Sequence, residues 1–286
     1  LILSHPLPPP SVRQQVSQIA PWTEDAHWQA LFGGRTNAAW QVSGLKASAV
    51  LKLYRRGGQN PLFPNDPAAE AKMLKHLDGT EIAPRLIANF TTDEMECNLY
   101  ETLPGRAWTE GVERVAELIQ RLHKISVPTG LRVAANGSEE LLNHALKILQ
   151  AADLRAAPPQ KLLQISVAKT ASIELLHGDI VPGNLIAEGN DLRLIDWQCP
   201  AIGDSTEDLA IFLSPAMQLL YRGGILSDEE TQSFLSSFSV EQQERYRALA
   251  PLYHFRMAAY CHWQIARGQL DYAEALTVEE QALASL

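Results

Sequence analysis

The chain changes character near residue 104, and that change limits what it can fold into. Upstream, the segments "AAWQVSG", "ASAVLKLYRR" and "ECNLYETL" alternate apolar and polar residues between Gly, Asn and acidic turn residues. A period of two over such lengths predicts antiparallel strands with a buried face. Downstream, apolar residues recur every three or four positions. In "VERVAELIQRLHKI", Val112, Val115, Leu118, Ile119, Leu122 and Ile125 fall on one helix face. "SEELLNHALKILQAADL" opens with Ser138 as its expected N-cap, carries two acidic residues in the first turn, and ends before Pro158 and Pro159. "VEQQERYRALAPLYHFRMAAYCHWQIARGQL" repeats the helical spacing, and "PLPPP" near the start reads as a local stiff segment. Strands first and helices after is the order of an α+β fold, and 286 residues are many for one compact core. The expectation is a small antiparallel sheet unit with one helix over residues 1–103 and a larger, mainly helical unit over 104–286.

Composition narrows the function. The hydrophobic share of 46% and the charged share of 20% are those of an ordinary globular protein. A formal net charge of −9 argues against a nucleic-acid partner, whose phosphates need a basic face, and suits a cationic small molecule. Acidic balance also serves solubility alone, so that preference stays open. Cys97, Cys199 and Cys261 are odd in number and far apart, which signals neither a disulfide framework nor a zinc site. The opening "LILSHPLPPPSVRQQ" has no basic n-region or long h-region, and no segment reaches the apolar length of a membrane span. A cytoplasmic protein is expected.

One stretch breaks the helical half. In "HGDIVPGNLIAEGNDLRLIDW", "NLIA" and "LRLID" read as two short strands joined by "EGND". Closing that hairpin would bring Asn184 and Asp196 together at its open end, with Asp179 on the loop leading in. A carboxylate able to accept a hydroxyl proton, beside Asp and Asn oxygens able to hold a hard divalent cation, is the set that magnesium-dependent phosphoryl transfer requires.

"HGDIVPGN" followed by "LRLIDW" resembles the catalytic core of the aminoglycoside phosphotransferase and choline kinase family, relatives of the protein kinases with the same two-lobed design. The resemblance implies ATP and Mg2+ as cofactors, Asp179 as the catalytic residue, and Asn184 and Asp196 as metal ligands. His177 and Gly178 would shape the loop. Lys52 in "SAVLKLY" would hold the α- and β-phosphates, fixed by an ion pair to Glu70 in "PAAEAKMLKHL". A lysine inside a strand needs such an acidic partner; an edge-strand lysine facing water is the plainer reading, and Glu81 is an alternative acid. "LFGGRTNAAWQV" resembles the phosphate-covering loop, with Gly33 and Gly34 for close backbone approach and Thr36 and Asn37 as donors, though a hairpin turn without a ligand reads the same. In "LYETLPGRAW", backbone around Glu101, Thr102 and Leu103 would meet the adenine. In "GDSTEDLA", Asp208 would brace the catalytic loop, with Asp204 as the alternative or as a helix N-cap. His123 reads as a core-side histidine behind that loop.

The implied activity is ATP- and Mg-dependent transfer of a γ-phosphoryl group to a hydroxyl of a small molecule, a choline-, ethanolamine- or thiamine-like alcohol being favoured. An aminoglycoside or sugar kinase, a protein-directed kinase and a non-catalytic nucleotide-binding module are the alternatives, and GTP in place of ATP stays open. Protein kinases usually carry a lysine two residues after the catalytic aspartate, and "DIVPGN" lacks it. Gln198 stands after Trp197, where choline and thiamine kinase-like members often show an acid. Tyr253, His254, Phe255, Tyr260, His262 and Trp263 suit either a cage for a cation or core packing. Tyr253, Tyr260 and Trp263 lie near one helix face, which favours packing.

Overall fold

A computed structural model describes residues 7–31, 36–54, 60–93, 95–155 and 157–286. Contacts divide the chain into two compact units, one of Leu1–Asn60, Pro64–Gly105 and Arg193–Cys199, the other of Pro61–Phe63, Arg106–Leu192 and Pro200–Leu286.

The first unit holds helix α1 (Pro10–Ile19), strands β1 (His27–Leu31), β2 (Ala38–Ser43) and β3 (Ser48–Leu53), helix α2 (Pro67–His76), and strands β4 (Leu86–Thr92) and β5 (Met95–Glu101). The strands form one antiparallel sheet in the order β1-β2-β3-β5-β4. β3 is therefore interior, with Lys52 opposite Ala39 on one side and Asn98 on the other. Strand alternation sends Ala49, Leu51 and Leu53 into a core with Trp40, Val42 and Leu99, capped by Val12 and Val16 of α1. Pro10, read from sequence as part of a stiff segment, instead starts that helix, where its fixed φ and missing N–H cost nothing. α2 packs on β4 and β5. It starts at Asp66, whose carboxylate accepts the Ala68 and Ala69 N–H groups at 3.0 and 2.9 Å.

The second unit comprises β6 (Arg106–Ala107), α3 (Val112–His123), β7 (Arg132–Val133), α4 (Gly137–Ala151), α5 (Gln160–Leu163), β8 (Glu174–Leu176), β9 (Leu185–Glu188), β10 (Asp191–Leu194, ending across the division) and β11 (Ala201–Gly203). It continues with α6 (Thr206–Leu213), α7 (Pro215–Arg222), α8 (Asp228–Ser236), α9 (Val240–Ala266) and α10 (Tyr272–Ser285). The expected hairpin forms from β9 and β10 around Gly189 at φ 56°. α9 packs on α4 and α10. Its start is fixed by reciprocal bonds between Ser239 and Gln242. Ser138 does not cap α4; Asn136 holds that position, and the Ser138 hydroxyl instead accepts the Val167 N–H at 3.0 Å. A capping bond was the local expectation, and a partner 29 residues away took the oxygen. The C-terminal helix is tied in by buried Glu279, which accepts the Ser214 hydroxyl at 2.7 Å and the Ala216 N–H at 2.9 Å at the start of α7.

The aromatic residues of α9 pack. Tyr260 stacks on Trp263 with centroids 5.7 Å apart and meets Phe63 and Tyr272 edge-on. Tyr253 stacks on Tyr246, and all of these α9 rings are buried. Cys97, Cys199 and Cys261 are buried too, and no disulfide joins described residues. Among the described residues no helix is long and apolar enough to cross a membrane.

Candidate active site

In the first unit, Lys52 leaves the β3 face opposite the apolar core and meets two carboxylates. Its ammonium donates to Glu70 Oε2 at 2.7 Å and to Asp196 Oδ1. Lys52 is 4% exposed and Glu70 1%. The edge-strand and Glu81 alternatives do not describe this arrangement, since β3 is interior and Glu70 occupies the contact. Burial opposes the charge on Lys52, but Asp196 and Glu70 outweigh it and hold the ammonium protonated well above the ordinary lysine range. Burial raises the Glu70 carboxyl, and the Lys52 ammonium pulls it back.

Glu70 is also gripped by Tyr54, whose hydroxyl donates to Oε2, and Asn98 Nδ2 supports that hydroxyl at 2.8 Å. Burial and the neighbouring Glu70 push the Tyr54 phenol above its usual range. Tyr54 and Asn98 were missed from sequence. A signal existed for Tyr54: in "LKLY" it stands two residues after Lys52 and shares its face.

Asp196 adopts a left-handed backbone, φ 64°, which few residues other than Gly, Asn and Asp accept. The surrounding segment holds it there. Leu194 N–H donates to Ile82 O at 2.7 Å, and buried Trp197 donates from its indole to Leu194 O at 3.0 Å. The Asp196 side chain stays 30% exposed, so its carboxylate is not fully enclosed by Lys52.

In the second unit, the loop between β8 and β9 is built as a hook. Gly178 takes φ 77°. Asp208 on α6, fully buried, accepts the His177 N–H at 3.1 Å and the Gly178 N–H at 2.9 Å. His123 Nε2 lies 3.1 Å from the same Asp208, and its Nδ1 lies 3.3 Å from Glu174. His177 Nδ1 accepts the Asp179 N–H at 3.2 Å. The Asp179 carbonyl in turn accepts the Val181 N–H and Asn184 Nδ2, each at 2.9 Å. Asn184 ends a 3-10 turn, Pro182–Asn184, instead of starting the strand. Its amide nitrogen is committed to Asp179, and its amide oxygen is an acceptor. Asp204 does not touch the loop; it accepts the Thr206 N–H at 3.1 Å and pairs with Arg245 at 2.6 Å.

Gly33 and Gly34 lie outside the described residues. Thr36 is half-buried, and the Asn37 amide is buried and donates at 2.8 Å to both Asn65 and Gln198. At the end of β5, the Glu101 and Thr102 N–H groups are taken by the Arg85 and Ser48 carbonyls, and the Glu101 side chain pairs with Arg85 in the open. Leu103 follows, half-buried. Asn184 and Asp196 belong to different units. Each offers an oxygen donor, the ligand type of Mg2+, which takes one or two protein oxygens and completes its shell with phosphate and water.

Residues 27–252 match the model of the phosphotransferase enzyme family, APH. The chain belongs to that family. It is thus an ATP-dependent small-molecule phosphotransferase, a kinase acting on hydroxyl groups. Solved structures share its fold. A choline kinase from Cryptosporidium parvum Iowa II is 15% identical with a TM-score of 0.68, over 96% of this chain and 95% of that one. A putative fructosamine-3-kinase from Haemophilus somnus 129PT is 17% identical with a TM-score of 0.64, over 96% and 97%. A thermostable mutant of aminoglycoside phosphotransferase APH(4)-Ia, in a ternary complex with ADP and hygromycin B, is 11% identical with a TM-score of 0.66, over 96% and 98%. No curated protein matches the sequence. The expected α+β class, an N-terminal antiparallel sheet followed by a helical part, is the one these APH-family structures have.

Proposed function

We propose that this APH-family kinase moves the γ-phosphoryl group of ATP, with Mg2+, onto the hydroxyl of a small alcohol of the choline, ethanolamine or thiamine kind. The observation that carries the catalytic part is Lys52, buried on an interior strand and shared between Glu70 and Asp196. A lysine so placed is fixed in position and fully charged, as an anchor for α- and β-phosphates must be. Asp196 and Asn184 are the residues that would hold Mg2+, which when bound neutralises charge on the phosphates. The remaining roles are the chain's own. Asp179, half-buried on a loop whose backbone is pinned by Asp208, orients the acceptor hydroxyl and takes its proton as the phosphoryl group departs in line. Thr36, with Gly33 and Gly34, covers the phosphates, while Glu101 and Leu103 flank the base. Glu70 and His177 position Lys52 and Asp179.

The acceptor class has weaker support. Net charge −9 favours a cation. The α9 rings, stacked on one another and buried, lend nothing to a cage. An aminoglycoside or sugar acceptor is the competing class. Magnesium-dependent ADP release is to be measured over choline, ethanolamine, thiamine, sugars, fructosamines and aminoglycosides, with Asp179→Asn as control. Turnover with choline, ethanolamine or thiamine, lost in the control, supports the reading, and turnover with aminoglycosides alone overturns it. Turnover with sugars alone overturns the acceptor class, and silence with every acceptor overturns the choice of small alcohols.

A further inference from the structure

Three side-chain amides interlock in the first unit. Asn37 follows Thr36 at the start of β2, Asn65 precedes the N-cap of α2, and Gln198 stands two residues beyond Asp196. Asn37 Nδ2 donates to Asn65 Oδ1 and to Gln198 Oε1, each at 2.8 Å. Asn65 Nδ2 returns a 2.8 Å bond to Asn37 Oδ1. The next backbone N–H, that of Asp66, donates to the Gln198 carbonyl at 3.0 Å. Asn37 and Gln198 are 7% and 3% exposed.

Asn37 and Gln198 are buried and Asn65 is half-buried, so losing a bond in this unit strands a polar group of Asn37 or Gln198 away from water, which makes the unit stiff. This one joins two segments 161 residues apart in sequence. It also explains the position of Asn65. The six residues from Asn65 to Glu70 hold Asn37 through a side chain, Gln198 through a backbone N–H, and Lys52 through Glu70. Both N–H bonds of the Asn37 amide are directed within the protein, so phosphate contact from this residue falls to its backbone.

We propose that Asn65 is a positioning residue for the phosphoryl-transfer site, holding the phosphate-loop residues Thr36 and Asn37 in register with Asp196 by way of Gln198. The proposal rests on the reading above that these residues meet nucleotide phosphates and Mg2+. Adenosine needs neither, and MgADP needs both, which separates positioning from general damage. The wild-type protein and the variants Asn65→Leu, Gln198→Leu and their combination are to be titrated with MgADP and with adenosine, alongside thermal unfolding. MgADP affinity is expected to fall about tenfold in each single variant, the loss of one or two buried amide bonds, with adenosine affinity held within about twofold. The combined variant is expected to lose no more than either single one, because both break the same unit. Should Asn65→Leu fail to fold, Asn65→Ala removes the same two bonds and leaves room for water to replace them; a smaller, MgADP-specific loss is then expected. Unchanged MgADP binding, parallel loss of adenosine, or additive losses would overturn the proposal. Wild-type protein that binds MgADP no more tightly than adenosine would instead overturn the site reading beneath it.

Discussion

Under the roles proposed above, Asp179 acts as the base and Asp196 as a metal ligand, and their substitutions should fail differently. Asp179→Asn keeps the size and loses the base, so kcat is expected to fall roughly 10²-fold or more with ATP affinity little changed. Asp196→Ala removes an oxygen ligand together with a partner of Lys52, so turnover and nucleotide binding should fall together; steady-state kinetics with binding titrations check both. Lys52 poses the opposite question, whether its charge serves folding or catalysis. Lys52→Met leaves Glu70 buried without its cation and is expected to cost about 3–5 kcal/mol in denaturant unfolding. Adding Glu70→Gln should restore much of that stability and none of the activity. Recovery of turnover in the double variant would show that the pair is structural only.

Elements set how closely the catalytic loop can be packed. A Cβ on Gly183 would lie 2.9 Å from the Tyr221 ring, at the end of α7. Gly183→Ala is therefore expected to displace the turn that delivers Asn184, costing about 1–3 kcal/mol and more than tenfold in kcat. Tyr221→Ala in the same protein should return part of the activity by vacating the space. The strands β2, β3 and β5, helix α3 and the β9–β10 hairpin were legible in sequence: β2 and α3 bury one face and write its period into the residues, β3 and β5 alternate apolar and polar residues although both of their faces are covered, and the hairpin carries turn residues. α1 was not, since its proline-rich start masks two buried valines at helical spacing. The short strands β6, β7, β8 and β11 are two or three residues long and carry no period at all. Among the candidate residues, Lys52, Glu70, Asp179 and Asp196 could be named because the segments that carry them resemble family motifs, and the contact of Lys52 with Glu70 and Asp196 is present in the sheet unit. Asn98 and Asn65 could not be, because neutral polar residues become informative only when their partners are known, and Tyr54 showed only as a residue sharing the face of Lys52.

At the scale of the whole molecule, protonation also bears on stability. In the helical unit, His144 on α4 lies 2.9 Å from the Pro61 carbonyl, and burial with nearby Arg256 lowers its pKa below the usual 6.5. A group depressed on folding stabilises the protein above its unfolded pKa, and that contribution is lost as pH falls through the folded value. Denaturation midpoints are expected to drop below about pH 6.5 by more in wild type than in His144→Gln. Equal slopes would place the acid sensitivity elsewhere. The make-up of the two units has a consequence for how the protein is made. Arg193–Cys199 complete the sheet unit, and Pro61–Phe63 belong to the helical one. During synthesis from the N-terminus, the sheet unit must wait for the whole catalytic loop to emerge before Lys52 receives Asp196 and Asn37 receives Gln198. A gene cut at residue 105 would yield a sheet with a half-partnered lysine and an open amide cluster, so separate expression of the two halves should give fragments that complement each other better than either folds alone.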